Sequence, residues 1–300
     1  MSRDEFHHGK FAAKFVLSTA IFLSCMASGN AYSSGEEPSI SKAQTATSLP
    51  VSFEDLLALP NEGTPPQTVP YGPAVEQSLL HFQSPIPARA TLLVIHGGCW
   101  SNAYDRQHLI PMARALALAG YNVWLAEYRR VGDAGGGWPG TLDDIALAIQ
   151  RVATLGGEAP WLVGHSAGGH LALWAAADPA LPLKGVVALA AITNLAQYAQ
   201  QEGSCPSMVA KFLGGSPESL PDRYAQVTVH DKVFLKPINL ILGEADPIVS
   251  PDQLAGFAET NTQIIAESGH FDLVYPGTPA FDQVIETLRN LIQIGSYGDD

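Results

Sequence analysis

Trp161-Leu162-Val163-Gly164-His165-Ser166-Ala167-Gly168 runs from a short apolar stretch into a turn of small residues. Its last five residues fit the pattern G-x-S-x-G. The apolar stretch predicts a strand over Trp161–Val163, and the residues beyond predict a helix from Gly168 to Ala177. A serine at a sharp strand-to-helix turn is strained and exposed, and it sits at a helix N-terminus whose dipole favours developing negative charge. The plainer alternative is a Gly-rich turn without catalysis. The strand before the serine and the helix after it favour a nucleophile at Ser166.

Outward from this turn, strands and helices alternate. Thr91–Ile95 is a continuous apolar run of the kind a strand buried on both faces shows. A helix is expected from Arg106 to Leu118, stopped by Gly120, and a strand over Tyr121–Ala126. Thr141 reads as the N-cap of a helix carrying Asp143 and Asp144 in its first turn. Further strands are expected at Val186–Leu189, Ile238–Leu242 and Thr262–Ala266, and a last helix from about Pro279 to Ile292. This alternation predicts an α/β fold with a mostly parallel central sheet flanked by helices. Residues 194–236 break the rhythm and read as a cap-like insertion over the C-terminal edge of the sheet.

A serine nucleophile needs a base, and the base needs an orienting carboxylate. Asp246 follows the strand Ile238–Leu242, and His270 follows the next strand. Acid then histidine is the chain order expected after such a serine. Glu244 competes for the acid role, but lies one residue past Gly243 and is expected to face solvent. Of the nine histidines, His7 and His8 precede the core with His81; His108 and His170 fall on helices. His165 should point away from Ser166, and His230 lies in the insertion. His96-Gly97-Gly98-Cys99-Trp100 follows the strand Thr91–Ile95. The Gly97 and Gly98 amides, with that of Ala167, suit an oxyanion hole. His96 reads as a structural residue that fixes this loop.

The His96–Trp100 motif, Tyr128-Arg129, Gly164–Gly168, Asp246 and His270 together resemble an α/β-hydrolase, over about Tyr71 to Ile294. They most resemble the HGG-motif carboxylesterases and the related kynurenine formamidase (arylformamidase) group. The resemblance implies an α/β-hydrolase fold, Ser166, Asp246 and His270 as the triad, and Gly97, Gly98 and Ala167 as oxyanion-hole donors. It implies a carboxylic ester or small amide as the small-molecule substrate, and no cofactor. Cleavage of N-formyl aromatic amides is one alternative. A ligand-binding protein that keeps the pocket without catalysis is another, although a complete triad argues against it. A peptidase is weaker, since the chain has no room for a gating domain. Trp100, Trp138 and Phe271 lie on loops at the catalytic edge, where they would line a substrate pocket or simply pack. Arg129 is expected to pair with Asp143 or Asp144.

Composition agrees with an enzyme of this kind. The 300 residues are 46% hydrophobic and 15% charged, enough for a sizeable core. Twenty-nine acidic residues against 16 basic ones give a net charge of -13. That excludes a nucleic-acid binder relying on clustered Lys and Arg. Lys10 and Lys14, the apolar run Phe15–Leu23 and the small residues through Ala31 have the layout of a secretory signal peptide. The alternatives are a membrane anchor through residues 15–27 or a lipidated Cys25. The expected organisation is therefore a signal peptide at 1–31, a flexible lead-in at 32–69 with a short helix near Ser52–Leu59, and one catalytic domain at 70–300. Export would leave Cys99 and Cys205 as the remaining cysteines. They could pair and tie the insertion to the anion hole, or remain two separate thiols. Neither a metal site nor a further membrane span is expected.

Overall fold

Six strands run parallel and end at one edge of the sheet, which is what gathers the chemistry. The computed structural model describes residues 50–296; the expected leader lies outside the described residues. In chain order, the elements begin with α1 (Phe53–Leu57), β1 (Gln67–Pro70), β2 (Ser78–Phe82), β3 (Thr91–Ile95), α2 (Ile110–Leu118) and β4 (Asn122–Ala126). Next come α3 (Gly140–Gly156), β5 (Trp161–His165), α4 (Ala167–Ala176) and β6 (Gly185–Leu189). The chain continues through α5 (Leu195–Tyr198), α6 (Ser204–Leu213), α7 (Pro221–Val227), β7 (Ile238–Gly243), β8 (Thr262–Ile265) and α8 (Pro279–Ser296). The sheet order is β1-β2-β4-β3-β5-β6-β7-β8. β3 to β8 are parallel to their neighbours, whereas β2 joins β4, and β1 joins β2, antiparallel. This is the α/β-hydrolase fold expected from sequence.

The central strands form because their residues are apolar on both faces. Every residue of β3, β5 and β6 is buried. Helices cover the sheet, so a continuous apolar run is more stable there than an alternating one. Register lines up the strand exits. Ile95 pairs with Ala126 and Gly164, His165 with Leu189, and Gly243 with Ile265. The loops that follow these residues therefore share one edge.

Three expectations need correction. First, β1 and β2 precede the expected core. β2 is buried and its His81 stacks on its cross-strand partner Trp124, with centroids 4.0 Å apart. Second, residues 50–69 of the expected flexible lead-in are built into the fold. Ser52 and Asp55 form a reciprocal capping box for α1, and Val51 and Leu56 are buried. Third, Thr141 is not an N-cap. α3 starts at Gly140, after Pro139, two residues earlier than that cap would place it. The Thr141 hydroxyl instead accepts from the Gly137 N–H at 3.0 Å and donates to the Arg129 carbonyl at 2.5 Å. It fastens the Gly-rich loop to the exit of β4.

The insertion forms α5, α6 and α7. Its α6 is bound to the loop after β3 by the Cys99–Cys205 disulfide, with Cα atoms 5.2 Å apart. Phe212 of α6 also stacks on Trp100 at 5.1 Å. Across the sheet, Arg129 grips Asp144 through two side-chain bonds of 2.9 and 2.6 Å, and its own N–H adds a third at 2.9 Å. Gln77 donates to the same fully buried carboxylate at 2.7 Å. Removing the carboxylate leaves the buried Gln77 amide without this acceptor and the partly exposed Arg129 without its ion-pair partner. Asp144→Ala is expected to lower unfolding stability by about 3 kcal/mol in denaturant titration, and a loss under about 1 kcal/mol would contradict this role.

Candidate active site

Ser166 occupies the single residue between the end of β5 and the start of α4, at φ 56° and ψ −121°. A positive φ on a serine is strained and persists only where the surroundings hold it. Its N–H donates to the Leu189 carbonyl at 2.8 Å, which ties the turn to β6. Gly168 allows α4 to lie against β3, since a Cβ there would meet the Ile95 carbonyl oxygen at 2.2 Å. Gly97 faces the serine from the other side. A Cβ on it would come within 2.9 Å of both Ser166 Cβ and the His165 carbonyl oxygen. Ala167 is the first residue of α4, so its N–H has no acceptor within the helix. Gly98, Cys99 and Trp100 follow with φ of 104°, 54° and 56°. The expected anion-hole loop thus turns sharply beside the nucleophile.

His270 Nδ1 donates to Asp246 Oδ2 at 2.7 Å, and both side chains are almost fully buried. The other Asp246 oxygen accepts from the Ile248 and Val249 N–H groups at 2.8 and 2.9 Å. The carboxylate is therefore fixed at both ends. Glu244 is exposed, as expected of the losing competitor. His165 brings the serine turn and the histidine loop together. Its Nε2–H donates to the His270 carbonyl at 3.0 Å, and the two rings lie 4.6 Å apart. Burial, and then the neighbouring His270, hold the His165 pKa well below the usual histidine range. Asp272 acts on the same loop: its Oδ2 accepts from Gly269 N–H at 2.8 Å and Val51 N–H at 3.1 Å.

A second cluster braces the anion-hole loop. His96 Nδ1 donates to the Gly97 carbonyl at 2.7 Å, and its Nε2 lies 2.8 Å from Glu127 Oε1. Arg130 approaches the same Glu127 oxygen at 3.0 Å, and the Arg106 N–H donates to the other at 3.1 Å. Burial disfavours the Glu127 charge, but His96, Arg130 and the Arg106 N–H outweigh it and bring the pKa down to about 2. Tyr128 stacks on His96 at 4.5 Å and donates its hydroxyl to the His96 carbonyl at 2.7 Å. His96 is thus structural, as expected.

The family described as alpha/beta hydrolase fold matches residues 90–218. The chain has the α/β-hydrolase fold. No curated protein matches it in sequence. Several solved structures do match in shape. Esterase B from Lactobacillus rhamnosis is 21% identical, with a TM-score of 0.64 over 78% of this chain and 86% of that one. Esterase 2 from Thermogutta terrifontis, phosphonylated by sarin, is 17% identical, with a TM-score of 0.62 over 77% and 95%. A putative thioesterase from a Silicibacter species is 17% identical, with a TM-score of 0.60 over 73% and 83%.

On this hydrolase fold the three aromatic candidates separate. Trp100 is fully buried against Phe212 and His170, so it belongs to the core. Its backbone turns the indole inward. Trp138 is half-buried, with the Arg223 guanidinium 4.0 Å from its ring, and its backbone N–H donates to the Phe212 carbonyl. Phe271 remains at the site, 5.0 Å from the His270 ring. A cleft of about 550 Å³ runs between residues 62–67 and 81–85. Phe82 pairs with Val123 at the start of β4, so that cleft sits at the opposite edge from Ser166. A smaller one of about 230 Å³ lies within the insertion. Ser166 and His270 themselves are 3% and 4% exposed. Among the described residues, no cluster of three or more His, Cys, Asp or Glu could hold a metal ion.

Glu127, His165 and Asp272 were not singled out as site residues by sequence. Glu127 had a signal, since it directly precedes the Tyr128-Arg129 pair. His108 and His170 are buried packing residues, and burial pulls their pKa values down to about 3 and about 4. The folded state keeps both neutral, while the unfolded chain takes up protons near pH 6.5. Their stabilising effect is complete above that pH and is lost as pH falls towards their folded values. The melting temperature should fall by more than about 5 °C between about pH 7.5 and about pH 5, where most carboxylates stay charged. An unchanged melting temperature would mean that these histidines are not buried neutral.

Proposed function

We propose that the protein is a serine hydrolase that cleaves a carboxylic ester through Ser166, His270 and Asp246. The 2.7 Å His270–Asp246 bond, at the same sheet edge as the strained Ser166, carries this reading. Solved esterases with the same fold support it. His270 takes the Ser166 proton at Nε2 as the serine oxygen attacks the ester carbonyl. Asp246 holds Nδ1–H and stabilises the imidazolium that forms. The Gly97, Gly98 and Ala167 N–H groups receive the oxyanion, each worth about 10²–10³-fold in rate. The tetrahedral adduct collapses, the alcohol leaves with the proton from His270, and an acyl group stays on Ser166. Water, deprotonated by His270, then attacks the acyl carbon; the bond to Ser166 Oγ breaks, His270 returns the proton to that oxygen, and the carboxylic acid leaves.

Export follows as a second part of the proposal. The Cys99–Cys205 disulfide supports the signal-peptide reading, because such bonds persist in oxidising compartments.

Ser166→Ala should lower kcat on short p-nitrophenyl acyl esters by at least about 10³-fold with the fold retained by circular dichroism. Turnover retained in that variant rejects the proposal. N-formylkynurenine assayed beside the esters separates ester from formamide cleavage.

A further inference from the structure

Residues Pro50 to Leu57 lead into the fold by sequence, yet the structure brings them to the catalytic edge. Pro50 lies against the histidine loop: a Cβ on Gly269 would come within 2.5 Å of Pro50 Cβ. The Val51 N–H then donates to Asp272 Oδ2, the same oxygen that holds Gly269 N–H. A buried carboxylate thus clamps two separate segments through one atom. Ser52 caps α1, and Phe53, its first residue, enters a cluster of rings. Its centroid is 5.5 Å from Phe271, 5.6 Å from Tyr104 and 5.6 Å from His108.

The position of those rings gives Phe53 its significance. Phe271 packs on His270 at 5.0 Å. Tyr104 covers Gly98, where an added Cβ would be 2.5 Å from Tyr104 Cβ. Phe53 therefore bridges from the loop of the base to the loop of the anion hole. Phe53 and Phe271 are half-buried and Tyr104 is 39% exposed, which leaves apolar ring surface open to a ligand. Rings in such clusters meet a further ring edge-to-face or offset, at better energy than they meet a short alkyl group.

We propose that Phe53, held by the Val51–Asp272 clamp, is a specificity-determining wall of the active site that favours esters carrying a flat aromatic group. This rests on the ester-hydrolase reading. The Phe53 ring offers contact area to an aryl group beside the scissile carbonyl, while an acetyl or ethyl group is too short to use it. The clamp fixes the wall to the same loop that carries His270, so the aryl group and the reacting carbonyl are positioned together.

The test is the rate of hydrolysis, followed by pH-stat, of ethyl acetate, ethyl benzoate and phenyl acetate by wild type, Phe53→Ala, Phe53→Leu and Val51→Pro. For each enzyme the kcat/KM of an aryl ester is divided by that of ethyl acetate. In Phe53→Ala the ratio for at least one aryl ester should fall about tenfold or more from wild type, with a smaller fall in Phe53→Leu, which keeps apolar bulk without the ring. Val51→Pro removes the N–H while leaving the Asp272–Gly269 bond, and should show the same loss. Ratios within about twofold of wild type in both Phe53 variants overturn the wall. A loss in Phe53→Ala without one in Val51→Pro overturns the clamp. Should wild type hydrolyse none of the three, the ester reading fails. The wall is then decided by calorimetric binding of benzoate against acetate: a preference for benzoate that weakens in Phe53→Leu supports it, and equal preference rejects it.

Discussion

The approach of Gly97 to Ser166 leaves no room for a side chain, and most of the site depends on it. A Cβ at residue 97 would overlap both the serine and the His165 carbonyl. The exits of β3 and β5 can come this close because the two strands are paired in register, Ile95 beside Gly164. Once they do, the backbone at Gly97 lies directly against Ser166. The positive φ at Ser166 then follows, because the chain must reverse from strand to helix within one residue. That strain is held by close packing of α4 on β3 and by the Ser166 N–H bond to β6.

Four further interactions keep this geometry in place. Glu127 and His96 hold the Gly97 carbonyl of the loop after β3. The Cys99–Cys205 bridge and the Trp100–Phe212 stack fix the far end of the same loop to the insertion. His165 fastens the base loop to the serine turn through the His270 carbonyl, leaving the His270 ring to Asp246. His96 and His165 act on backbone carbonyls, of Gly97 and His270, whereas the bridge and the stack act through side chains. This division lets the reacting groups be rigid without being consumed in structural bonds.

Much of the fold was legible in the chain, because β3, β5 and β6 are mostly apolar runs buried along their whole length. Ser166, Asp246 and His270 each lie within a few residues of a strand exit, and a parallel sheet puts strand exits at one edge. β1 and β2 were not legible. Gln67–Pro70 is mostly exposed and ends in proline, and Ser78–Phe82 is a five-residue run interrupted by His81. The braces were hidden for a different reason. Glu127 meets His96 across 31 residues, His165 meets His270 across 105, and Asp272 meets Val51 across 221. No local pattern encodes contacts of that span. The sequence left Trp100 open between a pocket wall and packing; three successive positive φ values, at Gly98, Cys99 and Trp100, accompany its full burial in the core.

The central claim is that the His270–Asp246 pair activates the Ser166 hydroxyl to form a covalent acyl-enzyme. Rapid mixing of wild type with excess p-nitrophenyl acetate, acid quench and peptide mass spectrometry test it most directly. The account predicts a burst of about one p-nitrophenolate per chain and an acetyl group on the peptide at Ser166, absent in His270→Ala. Turnover with no acetyl group on Ser166, or acetylation that persists undiminished without His270, would contradict it.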